Sequence, residues 1–308
     1  MDKVSVIIPA RNEQFLAPTI DDLFKNATGE IEVIAVLDDY WPDPPLKSYP
    51  NLIVLHQGQI QGMRNNINAG ARVATGKYLM KIDAHCAVGE GFDEILQADC
   101  ERDWIAVPSR YSLDPEKWER AKKGPTDYLY LTFPYNVDSL YGSGFHGKKW
   151  RGEKGLTGNF WQKEHEKKDI LIDDILTFQG SCWFMHRDKF FEIECLDDKH
   201  YNFHQEAQEL GFKIWLSGGR VVRNKKTWYA HLHKGARYGR GFRLSKRLMV
   251  ASEIYSTDLW MNNKWHKQTK DLKWLIDKFW PLEGWPDDWN DKKYQENYVH
   301  PRADLLND

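Results

Sequence analysis

The 308-residue chain carries a formal net charge of −2, and its 14 tryptophans and 14% aromatic content are high. That length supports a substantial core, the aromatic share argues against disorder, and the near-neutral charge argues against a nucleic-acid polyelectrolyte. Cys86, Cys100, Cys182 and Cys195 lie singly, which excludes a disulfide framework or zinc knuckle of close-paired cysteines.

The first residues enter a strand with no basic n-region and apolar h-region, and no apolar run approaches the ~20 residues that span a bilayer. The expectation is a soluble, cytoplasmic protein with reduced thiols.

Val4 to Pro9 is a short β-branched run stopped by proline, the pattern of a buried parallel strand. A polar loop, Ala10-Arg11-Asn12-Glu13, leads to a helical stretch from Leu16 to Lys25 with apolar positions on one face. Ile31 to Leu37 reads as a second buried strand ending in Asp38-Asp39, and Leu52 to Leu55 as a third. Gly62 to Ala74 reads as a helix, with Thr75-Gly76 as its stop signal. Tyr78 to Ile82 is the fourth strand, and it ends in Asp83-Ala84-His85. Alternating strands and helices imply parallel βαβ units, and the polar residues collect at the carboxyl edge, where such sheets place ligands.

Phe92 to Cys100 reads as a helix and Trp104 to Pro108 as a strand. Residues 109–176 look irregular and suggest an acceptor-side insertion or lid. Gly180 to Met185 reads as a strand, Arg187 to Ile193 and Gln205 to Leu216 as helices, the latter stopped by Gly218-Gly219. From Leu210 through Ser252 there is no acidic residue, and the basic ones include Lys234, Arg237 and Arg240. A one-signed run in a balanced chain suggests an anionic partner, a diphosphate or a phosphodiester backbone; a solvated basic face is the plainer account. Asp271 to Phe279 reads as a helix within a Trp-rich C-terminal extension that packs on the main domain.

Residues i and i+2 of an extended chain point to one side, so Asp83 and His85 can converge on a divalent cation; a strand followed by a polar turn is the alternative. A metal held there would neutralise a diphosphate leaving group. Carboxylate with imidazole suits Mn²⁺, and a single imidazole still admits Mg²⁺. Lys234, Arg237 and Arg240 on a mobile loop would close over the diphosphate and exclude water.

With Val4 through Glu13, the Asp38-Asp39 pair, and Asn68-Ala69-Gly70 through Tyr78 into Asp83-Ala84-His85, the chain resembles the family-2-type glycosyltransferases of GT-A fold. Its Asp-x-His motif is most similar to that of the polypeptide N-acetylgalactosaminyltransferases, and the likeness continues in Glu206 to Trp215 and Gly218-Gly219. The resemblance implies a mostly parallel, Rossmann-like sheet flanked by helices, in residues 1–250, with a nucleotide-binding half (1–105), an acceptor half (106–250) and an extension (251–308). It implies a UDP-sugar donor bordered by Pro9, Arg11 and Glu13, contacted by Asp38 or Asp39, with Arg64 nearby. It gives the metal Asp83 and His85 with His231 as third ligand; His233, facing the same way two residues on, competes. Glu206 matches the family's conserved acid.

Two departures bear on mechanism. Inverting members carry Asp where this chain has Ala207, so that base is absent unless Glu209 or Asp173-Asp174 substitutes, and the change favours retention. Phe203-His204-Gln205 stands in place of Trp-Gly-Gly. The expected activity is metal-dependent hexosyl or N-acetylhexosaminyl transfer to a hydroxyl of a glycan, a protein or a hydroxymethylated DNA base. The alternatives are a catalytically silent nucleotide-sugar or polyanion-binding module and a nucleotidyltransferase.

Overall fold

A computed structural model of the chain describes residues 1–135, 144–150, 166–201, 203–296 and 303–306. Its centre is a mixed sheet. β1 (Val4–Ala10), β2 (Ile31–Asp38), β3 (Leu52–Gln57) and β4 (Tyr78–Ile82) pair in the order β3-β2-β1-β4, all parallel. β5 (Cys86–Val88), β6 (Trp104–Asp114), β7 (Glu119–Arg120), β10 (Ile172–Asp174), β11 (Cys182–His186) and β12 (Arg220–His231) complete it. β11 lies antiparallel between β4 and β6, and β12 runs parallel to β6, so the six longest parallel-running strands share one direction and β11 opposes them.

Alternation along the strands sends side chains to two separate cores. Ile7, Ile34 and Leu79 face one side, and Val6, Val33 and Met80 the other. Each such side chain taken from water contributes about 1.5–3 kcal/mol. Helix α1 (Leu16–Asn26) covers the second core, and α2 (Met63–Val73) the first. Two glycines of the recognised sequence motif are there for space. A Cβ on Gly70 would stand 2.7 Å from Ile7 Cγ2, and one on Gly76 2.7 Å from Lys3 O, so only glycine lets α2 and the entry to β4 lie this close to β1.

The stretch read as irregular from residue 109 starts later than expected. β6 continues through Asp114 beside β12, and β8 (Leu129–Leu131) pairs with β9 (Gly147–Lys149) in a separate ladder. The remaining parts of the expected lid, residues 136–143 and 151–165, lie outside the described residues. The first half of β12, with Arg220, Arg223, Asn224, Lys225 and Lys226, lacks the apolar run of an ordinary buried strand. Arg223 is nevertheless buried and donates to the carbonyls of Pro108 and Asp127. A register shift between Asn224 and Trp228 re-aims the rest of the strand.

Helices α3 (Phe92–Asp99), α4 (Arg187–Glu192), α5 (Glu206–Leu216) and the short α6 (Gly235–Tyr238) fall where the sequence placed them or within its basic span. Helix α7 (Lys246–Met261) runs across the expected boundary at residue 250, and α8 is Leu272–Phe279. Trp260, Trp265, Trp285 and Trp289 are buried in the first core, and Trp285 donates to Leu131 O at 2.7 Å. The tail is thus part of the core. No described helix is long and apolar enough to cross a membrane.

Candidate active site

In the order β3-β2-β1-β4 the chain reverses direction across the sheet between β1 and β4, and the crevice beyond their carboxyl ends is where such sheets bind ligands. A cavity of about 1240 Å³ lies there. Its wall includes Pro9, Arg11 and Glu13 after β1, Asp38 after β2, Asp83 and His85 after β4, and Glu206 at the start of α5. Tyr130 and Lys149 of the β8–β9 pair line it as well.

Asp83 leaves β4 with its amide held by Ser181 O at 2.9 Å. The register of β12 on β5 sets His231 opposite Cys86, and Leu232 N donates to His85 O at 3.1 Å. The three side chains therefore converge, with ligand atoms all within 4.8 Å of one another. His85 Nε2 lies 3.1 Å from His231 Nε2, which lies 3.3 Å from Asp83 Oδ2. Glu13 faces His85 Nδ1 at 3.1 Å and is itself paired with Lys234. A proton on Nδ1 directed at Glu13 leaves the Nε2 lone pair of His85 aimed inward. His231 Nδ1 is buried with no partner among the described residues, and burial lowers the His231 pKa to about 4, so the ring is neutral. Two imidazole lone pairs and a carboxylate then face one point, a donor set that a divalent cation satisfies.

His233 is turned to a different task. Its Nε2 accepts from Arg110 Nη1 at 2.9 Å, and its ring stands edge-on to His231 with centroids 5.0 Å apart.

Behind Asp83 sits Lys81, a residue that the sequence reading passed over. Its ammonium donates to Asp83 Oδ1 at 2.7 Å and Gly180 O at 2.6 Å, and it reaches Glu206 Oε2 at 3.3 Å. Trp183 Nε1 holds the other Glu206 oxygen at 2.8 Å. Burial alone would raise the Asp83 carboxyl, but Lys81, His231 and His85 hold it well below the ordinary carboxylate range. For Glu206 burial prevails over Lys81, and its pKa rises. Burial would likewise raise Glu13, and His85 and Lys234 bring it down. The signal for Lys81 was a lysine inside an otherwise apolar strand.

Other anticipated residues fall elsewhere. Arg64 does not line the cavity; it is buried in an ion pair with Glu209 and donates to His204 O beneath the floor. Asp39 is exposed, at φ 58, while Asp38 is buried and accepts from Gln61 N at 2.7 Å, closing the loop before α2. Arg240 lines the cavity and lies over the Phe203 ring, whereas Arg237 points outward to Glu116. Glu209 is also held by Lys213 at 2.7 Å and does not line the cavity. Asp173 is held by Tyr128, and Asp174 by Arg220 and Lys278. None of the three stands where a base in place of the residue at 207 would act.

Six of the eleven basic residues of the span, Lys213, Arg220, Arg223, Lys226, Lys234 and Arg237, each pair with a carboxylate within the molecule. Two of its members, Lys234 and Arg240, line the cavity.

A mixed sheet with a parallel half, this switch point and an Asp-x-His at its edge is the arrangement of a GT-A transferase fold. The chain belongs to glycosyl transferase family 2, whose family model matches residues 5–194. It is 26% identical over 250 residues to the Probable N-acetylgalactosaminyltransferase 7 of Caenorhabditis elegans, covering 75% of this chain and 39% of that protein. It is 23% identical over 278 residues to the Polypeptide N-acetylgalactosaminyltransferase 3 of Homo sapiens, covering 84% and 41%. The chain thus spans about two fifths of the length of these relatives. Among solved structures, that of GalNAc-T7 with UDP, GalNAc and Mn²⁺ superposes with a TM-score of 0.64 at 16% identity, over 85% of this chain and 50% of that one.

Proposed function

We propose that this chain is a metal-dependent glycosyltransferase that takes an N-acetylhexosamine or hexose from a UDP-sugar and passes it to a hydroxyl with retention of configuration. The convergence of Asp83, His85 and His231 at the switch point carries this reading. The residues fit Mn²⁺, which when bound supplies Lewis-acid stabilisation to a diphosphate leaving group. The relatives' names and the UDP and Mn²⁺ of the GalNAc-T7 structure support the choice of donor and cation.

Asp83, His85 and His231 hold the cation; Glu13 fixes the His85 ring; Lys234 and Arg240 add positive charge on the diphosphate side. Pro9, Arg11 and Asp38 border the nucleoside. Glu206, tethered by Trp183 and Lys81, stands at the sugar. Ala207 offers no base, and Glu209, Asp173 and Asp174 are bound elsewhere, which supports retention over inversion. The acceptor is a glycan, a protein side chain or a modified DNA base; internal pairing of the basic span weighs against DNA. The four free cysteines fit a reducing, cytoplasmic setting.

A thermal-shift panel of nucleotide sugars with Mn²⁺ or EDTA, followed by donor hydrolysis, tests this. A UDP-sugar should stabilise the protein in the presence of Mn²⁺ alone and release UDP, and both effects should vanish in Asp83→Ala. Nucleotide binding with no release from any donor would make the chain a silent binding module. Diphosphate release from a nucleoside triphosphate would make it a nucleotidyltransferase. Equal stabilisation in EDTA would remove the metal from the account.

A further inference from the structure

Beside the large cavity a smaller one of about 110 Å³ opens at the ends of β6 and β12, lined by Arg110, Ser112, Lys123, Thr126, Lys149 and His233. Lys149 and His233 belong to both walls, so the two spaces adjoin. The metal cluster lies on one side of this junction, with the His231 and His233 ring centroids 5.0 Å apart. The nucleoside side of the site, at the ends of β1 and β2, lies across the sheet in the other direction.

The chemistry of the small cavity is one-signed. Arg110 is 7% exposed, and its guanidinium donates to His233 Nε2, a neutral acceptor, and pairs with no carboxylate among the described residues. Asp127 acts on it through space only, and the Asp127 carboxylate faces Arg223 at 3.6 Å. Burial lowers the His233 pKa, and the positive charges of Arg110, Lys123 and Lys149 lower it further. Among the described residues, no acidic side chain lines the cavity. A buried guanidinium with no directly paired carboxylate is costly, and an oxyanion held by Arg110 and Lys123 with the Ser112 and Thr126 hydroxyls would lower that cost. At ~30 Å³ for a water's share of liquid volume, the space suits a tetrahedral oxyanion with one or two waters.

We propose that this cavity binds an anionic group of the acceptor, a phosphate, sulfate or carboxylate set beside the hydroxyl that receives the sugar. The assignment to an acceptor rests on the glycosyltransferase reading; the anion site itself does not. An acceptor held there presents its neighbouring hydroxyl past His233 toward the metal, while the donor's diphosphate occupies the metal itself. The subsite therefore selects acceptors by charge.

Calorimetric titration of inorganic phosphate into the full chain saturated with Mn²⁺ and UDP, at constant ionic strength, tests the site. One saturable phosphate should bind with UDP in place, at least tenfold more weakly in Arg110→Gln and severalfold more weakly in Lys123→Ala. Lys123 is exposed, so its variant folds even where loss of Arg110 disturbs the strand. Parallel titrations with sulfate and acetate tell which oxyanion is preferred. Phosphate that binds only when UDP is absent sits at the diphosphate site, and equal binding in both variants means an adventitious ion only; either result overturns the proposal. Should wild-type protein bind no UDP with Mn²⁺ yet hold phosphate through Arg110 and Lys123, the anion site stands and the transferase reading falls. Transfer to matched sugars with and without a phosphate should favour the charged member, a preference that Lys123→Ala reduces. Equal transfer to both overturns the assignment to the acceptor.

Discussion

Lys81 and Asp83, two residues apart at the end of one strand, form a 2.7 Å ion pair directly behind the metal cluster, and the same ammonium reaches Glu206. One buried cation thus stands between a metal-site carboxylate and the acid at the start of α5. Burial would favour the neutral amine, but Asp83 and Glu206 raise its pKa and keep it charged.

Lys81→Met leaves two carboxylates facing each other without that charge. Breaking a buried pair typically costs about 3–5 kcal/mol, so urea denaturation should show a loss of that order. Mn²⁺ should raise the melting temperature of the variant more than that of the wild type, because it restores positive charge beside Asp83. A loss below about 1 kcal/mol would mean that the pair is incidental.

Glu13 acts on the metal through His85. Glu13→Gln keeps the side chain's shape and removes the charge that orients the ring, so Mn²⁺ affinity should fall about 10–100-fold with little change in fold. Electron paramagnetic resonance of free Mn²⁺ measures it. Unaltered affinity would show that the 3.1 Å contact does not orient the ring.

Gly180 fits against Glu206. A Cβ there would stand 2.9 Å from Glu206 Oε2, and that carboxylate is tethered on both sides by Trp183 and Lys81. Gly180→Ala should lower kcat by about tenfold or more while costing ~1–3 kcal/mol in stability. A variant with full turnover would show that the position of Glu206 does not matter to catalysis.

Glu209 gives a pH signature. Burial would raise its pKa, but Lys213, Arg64 and His200 bring it from 4.5 to about 2. A depressed carboxylate stabilises the fold above its unfolded pKa and loses that contribution as pH falls through the folded value. About 3 kcal/mol should therefore be present above pH ~5 and disappear toward pH 2. Denaturation curves of wild type and Glu209→Gln should converge over that window, and parallel curves would sink the idea.

Legibility followed pattern. The parallel half of the sheet was readable because β1, β2 and β4 are apolar runs that end in polar residues. Asp83 and His85 announced themselves by spacing at a strand end. His231 needed the family resemblance, since sequence alone puts it level with His233, and what separates them is Arg110 arriving from β6. Arg64 and Lys81 were misplaced or missed for a common reason: a charged side chain in the interior gives no local sign of which distant carboxylate it meets. The first half of β12 hid behind its basic residues, whose partners come from Asp99, Asp127 and Asp174 far away in sequence.

The position of His231 has one more consequence. Asp83 and His85 come from the first third of the chain, and their partner from the last long strand of the sheet, which pairs with β5, β6 and β10. A nascent chain halted before residue 220 would carry two ligands and hold a cation weakly. Tight cation capture is therefore a late event in the life of the chain, and it reports that synthesis has passed β12 and that the strand is in place.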